Sequence, residues 1–340
     1  MFSGRKAHIL NIIVDEYVTT AQPVGSKQVA MRLLKEVSPA TIRNDMADLE
    51  EQGYILRPHT SAGGVPSSLG YRRYVTFLEQ GQQELPSGDR AAISTRLRGI
   101  SGNPEGLMRA VAASLASIAH NAAVVTYPRS PQPRLRHLDM VKVQQKAALL
   151  VVLTQEQQLR RHLVRFADSV SQDQLLFISN RLNSLFNGLN PTQIQSQRSA
   201  LSPLESVVLD AALAAMEGEQ AYVEAQVAGI KYLLDQPEFA QGGQMREVVE
   251  VLEDVGTLSA IMPSSMEGSY QVLIGEENPR ESMRQCSIIM ARYGSPDEAR
   301  GVVSIIGPTR MQYQRSIAAA RSLASLMDEL LAELYEDGGR

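Results

Sequence analysis

Apolar positions in residues 8–20 recur at helical spacing: Ile9, Ile12, Ile13 and Tyr17 share one face, which predicts a helix. Pro23 and Gly25 break the chain, and Ser26 is placed to cap a second, short helix over residues 27–34. Ser38-Pro39 is a stronger start signal, a capping hydroxyl followed by proline at the first helical position. The helix predicted over 39–52 carries Ile42, Met46 and Leu49 on one face, and Gly53 ends it. Tyr54-Ile55-Leu56 reads as a short strand, residues 58–64 as a turn, and Val65 as the start of the returning strand. Helices followed by a small hairpin are the order of a winged helix-turn-helix domain. A further helix over 71–80 leaves the wing.

Residues 81–88 and 99–104 are rich in Gly, Ser and Pro, so the segment between the wing and residue 105 reads as a linker. A helix over 105–120 follows, then strands at 123–127 and 147–153, with 159–166 returning as a hairpin across 154–158. Residues 171–187 and 202–217 read as helices, 221–228 as a strand, and 243–255 as a helix with Val248, Val249 and Leu252 inward. Residues 269–274, 286–293 and 301–306 read as strands. Gly307-Pro308 is taken to open a long helix striped by Ile317, Ala320, Leu323, Met327, Leu330 and Leu334. That mixed order predicts an α+β body with an antiparallel sheet, interrupted by a helical insertion.

Composition narrows the class. The chain has 340 residues, 44% of them hydrophobic and 21% charged, which is ordinary for a globular chain of more than one domain. The single cysteine, Cys286, excludes an internal disulfide and favours a reducing cytoplasm. The apolar run at 147–153 is far too short to span a bilayer, and the start of the chain reads as mature structure, so no membrane association is expected. Net charge is −4, yet residues 1–78 hold nine Lys/Arg against seven Asp/Glu. A basic end on an acidic body points to a nucleic-acid-binding module on a regulatory one.

The candidate chemistry lies in that basic end. With Ile42, Met46 and Leu49 inward, the outward positions of the third helix are Thr41, Arg43, Asn44 and Asp48. Arginine can bond guanine O6 and N7 together, and asparagine can bond adenine N6 and N7. Arg43 and Asn44 are therefore the expected base readers, with Ser38 and Thr41 suited to phosphate at the helix start. Arg57, Arg72 and Arg73 bracket a stretch without acids, in which His59, Thr60 and Ser61 add donors at the wing. Enzyme signatures are missing: there is no G-x-S-x-G elbow and no P-loop. His8, His59, His120, His137 and His162 are dispersed, with no metal-ligand spacing, so no metal or cofactor is expected. Glu276-Glu277 reads as an exposed turn before Asn278-Pro279, and Cys286 as a buried structural thiol.

Several stretches together resemble the HrcA family, heat-inducible transcription repressors of bacterial chaperone operons. Near the start they are Pro23-Val24-Gly25-Ser26, the run from Ser38-Pro39-Ala40 to Leu49-Glu50-Glu51, Pro58-His59-Thr60-Ser61-Ala62-Gly63 and Gly70-Tyr71-Arg72. Downstream they are Gln236-Pro237-Glu238-Phe239, Ile274-Gly275-Glu276-Glu277-Asn278-Pro279, Cys286-Ser287-Ile288-Ile289 and Ile306-Gly307-Pro308-Thr309-Arg310-Met311. The resemblance implies an α+β multidomain chain. Residues 1–80 would be a winged-helix domain, 81–104 a linker, 105–170 with 236–340 a GAF-like domain, and 171–235 an inserted dimerisation subdomain. It also implies a homodimer on double-stranded DNA carrying an inverted-repeat operator, with the GroEL chaperonin maintaining its activity. Gly64 and Leu69 stand where the family carries Arg and Lys, which removes two positive charges from the wing. A repressor that senses a small molecule remains an alternative. A ligase-repressor is a further one, although the Gly- and Arg-rich nucleotide loop it needs is not visible.

Overall fold

The computed structural model describes residues 4–33, 37–59, 62–79, 81, 84–100, 103–128, 132–155, 159–198, 201–217, 225–239, 244–253, 266, 268–295 and 299–337. The chain divides into two compact units. One comprises Met1–Thr126, Glu224–Tyr293 and Val302–Arg340; the other comprises Tyr127–Val223 and Gly294–Gly301.

The first unit begins with α1 (Gly4–Thr20), α2 (Ser26–Arg32) and α3 (Pro39–Glu51). They pack together through Ile9, Leu10, Ile13 and Val14 of α1, Val29 and Ala30 of α2, and Ile42, Met46 and Leu49 of α3, all buried. Ser38 caps α3, its Oγ accepting from the Thr41 amide at 3.2 Å, with Pro39 in the first turn. Ser26 does not cap α2 as expected. It is the first helical residue, and the Gly25 amide instead donates to Gln28 Oε1 at 2.7 Å. Gly53 ends α3 with φ +77°, a left-handed conformation that favours glycine. β1 (Ile55–Leu56) and β2 (Val65–Pro66) pair antiparallel, Ile55 opposite Pro66. Val24 and Gly64 exchange two backbone hydrogen bonds of 2.9 Å, tying the segment before α2 to the wing. α4 (Ser68–Glu79) follows directly.

The expected linker at 81–104 contains a helix, α5 (Ser87–Arg98). Its sequence is mostly polar and buries only Leu97 fully, so its periodicity gave no hydrophobic stripe. Arg90 reaches Glu329 of the C-terminal helix at 2.9 Å. α6 (Pro104–Ala119), capped by the Asn103 side chain, leads into the body.

That body is a five-stranded sheet in the order β7-β3-β10-β9-β8. The strands are β3 (Ala122–Thr126), β7 (Ala225–Ala228), β8 (Tyr270–Ile274), β9 (Cys286–Gly294) and β10 (Arg300–Pro308). β3 pairs antiparallel with both β10 and β7, and β8 with β9. One face, with Ala122, Val124, Ile288, Met290 and Ile306, packs with Leu233 of α10 (Ile230–Leu234) and with Val248 and Leu252 of α11 (Gln244–Glu253). The alternate residues Ala123, Val125, Ile289, Val303 and Ile305 are buried too, on the side of α6 and the C-terminal helix Tyr313–Asp337. Covering both faces explains why β9 reads as a continuous apolar run. Gly307-Pro308 does not open the C-terminal helix: β10 runs through Pro308 and a turn follows, with the Met311 amide donating to Pro308 O. Ile317, Ala320, Leu323, Met327 and Leu330 of the helix stripe are buried; the Leu334 side chain lies outside what the structure describes.

The second unit holds a three-stranded antiparallel sheet of β4 (Leu135–Gln144), β5 (Ala147–Thr154) and β6 (Leu159–Arg165). Its helices are α7 (Gln172–Phe186), α8 (Pro191–Ser196) and α9 (Pro203–Glu217). Leu138, Met140, Leu150 and Val152 on one sheet face share a core with Leu175, Leu182, Val208 and Leu209. The expected boundary at residue 171 divides this assembly and places its strands in the sheet domain. The structure groups the strands with the helices, because each buries the other's apolar face. β4 went unread: its charged and polar exposed positions, such as Arg136, His137 and Asp139, hide the buried set.

At the exit of β8 a buried asparagine holds the turn. Asn278 Nδ2 lies 2.8 Å from Gly275 O, 3.0 Å from Met283 O and 2.9 Å from Cys286 O. Three acceptors around one amide nitrogen require a donor there. Asn278→Asp keeps the shape but sets a carboxylate against three carbonyl oxygens. It should lower stability by about 3 kcal/mol or more, read as a fall in the urea midpoint at neutral pH.

Candidate nucleic-acid interface

Helix α3 sorts its residues cleanly. Ile42, Met46 and Leu49 face the core, whereas Arg43 and Asn44 are exposed. Ala40 and Ala47, each one helical turn from one of that pair, are also exposed. Their methyl groups leave the helix slim on this face, so its backbone can come close to a groove while Arg43 and Asn44 reach outward. The alanines were not singled out in the sequence, although their spacing of three and four from Arg43 and Asn44 is the signal that finds them.

Two of the four acids of α3, Asp45 and Asp48, are engaged by α1. Asp45 is buried and accepts both prongs of the Arg5 guanidinium from α1, at 2.7 Å and 3.0 Å. The hydrogen bond and the charge of Asp45 raise the pKa of Arg5. Asp48, expected to point outward, is half-exposed and pairs with Lys6 at 2.7 Å. Two carboxylates that would repel phosphate are thus neutralised by α1, and the open face keeps its cation.

The other expected contacts divide. Ser38 and Thr41 lie together at the start of α3, their hydroxyl oxygens 2.9 Å apart. His59 is exposed at the wing, as is Arg73 on α4. Thr60 and Ser61 lie outside the described residues. Arg57 folds back onto Glu50 of α3 at 3.1 Å. Gly64 is buried: a Cβ there would lie 2.9 Å from Ile55 Cδ1 and 3.2 Å from Met46 Cε, so this position faces the packing beneath the wing. Leu69 is exposed.

Arg72 is engaged within the chain rather than at this surface. Its Nε donates to Glu277 Oε1 at 2.7 Å, and its Nη2 donates to Val272 O at 2.6 Å and to Glu277 Oε2. Glu277, read as an exposed turn residue, is therefore a partner that sequence reasoning missed, since 205 residues separate the pair. Cys286 is buried, as expected of a structural thiol, and burial pushes its pKa up to about 12. Among the described residues no cluster of His, Cys, Asp or Glu could hold a metal, and no helix is long and apolar enough to cross a membrane.

A compact trihelical head, a short antiparallel wing and an open polar face on the last helix define a helix-turn-helix protein of the DNA-binding class. Residues 16–67 match the DeoR-like helix-turn-helix domain, and residues 105–317 match the HrcA protein C terminal domain. The chain belongs to the HrcA family, heat-inducible transcription repressors. The repressor from Dehalococcoides mccartyi strain 195 is 38% identical over 98% of this chain and 97% of its own length. That from Roseiflexus castenholzii is 33% identical, covering 98% and 95% respectively. The crystal structure of a hypothetical protein superposes with a TM-score of 0.62 at 21% identity, covering 97% of this chain and 99% of its own, and so shares the fold.

The Arg5–Asp45 pair gives a direct test of how α3 is held. Arg5→Ala leaves a buried carboxylate without its guanidinium and should lower the thermal unfolding midpoint. Adding Asp45→Asn removes the stranded charge, and the double variant should recover most of the loss.

Proposed function

We propose that this chain is a sequence-specific repressor of chaperone operons that binds an inverted-repeat operator as a homodimer. The observation that carries this reading is the open face of α3, where Arg43 and Asn44 project between Ala40 and Ala47 and the nearby acids are engaged by α1. Arg43 and Asn44 read bases. Ser38, Thr41, His59, Thr60, Ser61 and Arg73 position the domain on phosphates, and Arg57, held by Glu50, supports the wing. A dimer suits an inverted repeat because protein and operator share a two-fold axis.

The second unit acts as the inserted dimerisation subdomain, and the five-stranded sheet with its covering helices as the GAF-like domain. Support for the dimer comes from the sheet face that α7 and α9 leave uncovered. Val141, Leu149 and Leu163 lie in one cross-strand row, and His137, Leu153 and Leu159 in another. Between them Asp139, Val151 and Arg161 form a third row. Val141 is 51% exposed, Leu159 55% and Leu163 49%, too apolar a stretch to stay in water. A second copy related by a two-fold axis along β5 lays β4 over β6, so each Asp139 meets the other copy's Arg161. The GroEL chaperonin keeps the repressor in its folded, binding-competent form, the partner implied by family resemblance.

The first test is fluorescence anisotropy with an inverted-repeat chaperone-operator duplex and a scrambled duplex, with and without GroEL. Tight binding to the inverted repeat alone, with an active fraction that rises with GroEL, is expected; equal affinity for both duplexes would sink the reading. Arg43→Ala should cost about 1–3 kcal/mol of specific affinity and leave stability unchanged, because its side chain is exposed. Leu163→Glu should shift the dimer to monomer in sedimentation equilibrium while the circular dichroism spectrum of the folded protein is kept.

A further inference from the structure

The sequence motifs Gly70-Tyr71-Arg72, Gln236-Pro237-Glu238, Ile274 to Pro279 and Gly307 to Met311 converge on one seam of the first unit, between the head and the five-stranded sheet. Arg72 on α4 grips Glu277 and the Val272 carbonyl. Glu277 is itself held, since its Oε2 accepts from the Ile274 amide at 2.8 Å. A second strut lies in the turn after β10. Arg310 Nη1 donates to Val18 O of α1 at 3.0 Å, Nη2 donates to Gln236 Oε1 at 3.0 Å, and the same guanidinium pairs with Glu238. Between the struts the rings of Tyr71 and Tyr313 pack with centroids 5.6 Å apart. The approach is close: a Cβ on Gly275 would lie 2.7 Å from Ser68 Oγ of α4.

We infer that Arg72 and Arg310 are positioning residues that lock the head onto the sheet, so that α3 keeps one orientation on its own body when a dimer engages the two operator half-sites. The contacts named across the seam come from α4 or the end of α1, while Arg43 and Asn44 stay exposed. An inhibitory dock would cover the reading face; this one leaves it open. Each guanidinium combines a two-pronged carboxylate pair with a backbone carbonyl, so the geometry is directional. Half-sites lie about 34–36 Å apart or a multiple of that. A head that swivels lowers the effective concentration for the second half-site and leaves the first unaffected.

The inference rests on the repressor reading, and one experiment separates the two. Full-length protein, Arg72→Gln, Glu277→Gln, their double variant and Arg310→Gln are titrated by anisotropy over a salt series, against the inverted-repeat duplex and a single half-site duplex. Thermal unfolding is followed in parallel. The expected result is inverted-repeat binding weakened about three- to tenfold by each single variant, with the Arg72–Glu277 double no weaker than the singles. Half-site affinity and the salt slope should stay unchanged. A phosphate role for Arg72 would instead weaken both duplexes alike, leave Glu277→Gln silent, and flatten the slope by about 0.9 per contact. That pattern overturns the inference, as does tighter operator binding by Arg72→Gln or Arg310→Gln. If the unaltered protein does not prefer the inverted repeat to a scrambled duplex, the repressor reading fails first.

Discussion

The five-stranded sheet is buried on both faces, and the placement of the head depends on that burial. Because α10 and α11 close one side and α6 and the C-terminal helix the other, polar groups inside must find partners within the body. Ser287, fully buried on β9, bonds Tyr313, whose hydroxyl donates to the Thr309 carbonyl at 2.7 Å. Asn278 gathers three carbonyls at the exit of β8. These bonds fix the two turns that carry Glu277 and Arg310. A sheet open on one face would have left both turns to solvent, with no rigid frame from which a side chain could hold another domain.

The head obeys a related constraint on charge. Carboxylates beside the reading residues of a helix would repel a polyanion, and α3 contains Asp45 and Asp48 next to Arg43 and Asn44. Burying Asp45 requires a partner at close range, and Arg5 supplies both prongs. Lys6, the next residue, meets Asp48. One turn of α1 therefore stabilises the orientation of α3 and clears its outer face in the same contacts. The stability of the head and its electrostatic suitability for DNA share a cause.

Much of this was legible in the sequence, and where it was not the reasons are physical. The extents of α3, α6 and the hairpin of β5 and β6 follow from periodicity and capping, which act within a few residues, whereas α1 begins at Gly4, four residues before the apolar pattern at 8–20. The buried trio Ile42, Met46 and Leu49 and the exposed pair Arg43 and Asn44 follow from the same local geometry. α5 lacks an apolar stripe because its sequence is mostly polar, and the pattern of β4 is masked because its exposed side is highly charged. The unit containing β4–β6 was divided because strand and helix signals look alike whichever core they enter.

The sequence by itself determined the helices and strands whose apolar residues recur with a clear period, which face of α3 stays open, and through its motifs the family. Those properties depend on neighbours three or four positions away, so the local order of residues suffices. Only the tertiary structure decided that Arg72 faces Glu277 rather than DNA, that Arg310 reaches the end of α1, and that the second unit's strands and helices share one core. Such pairings join residues up to 292 positions apart. A charge in a sequence has no direction until packing brings one particular opposite charge, among many, within bonding distance.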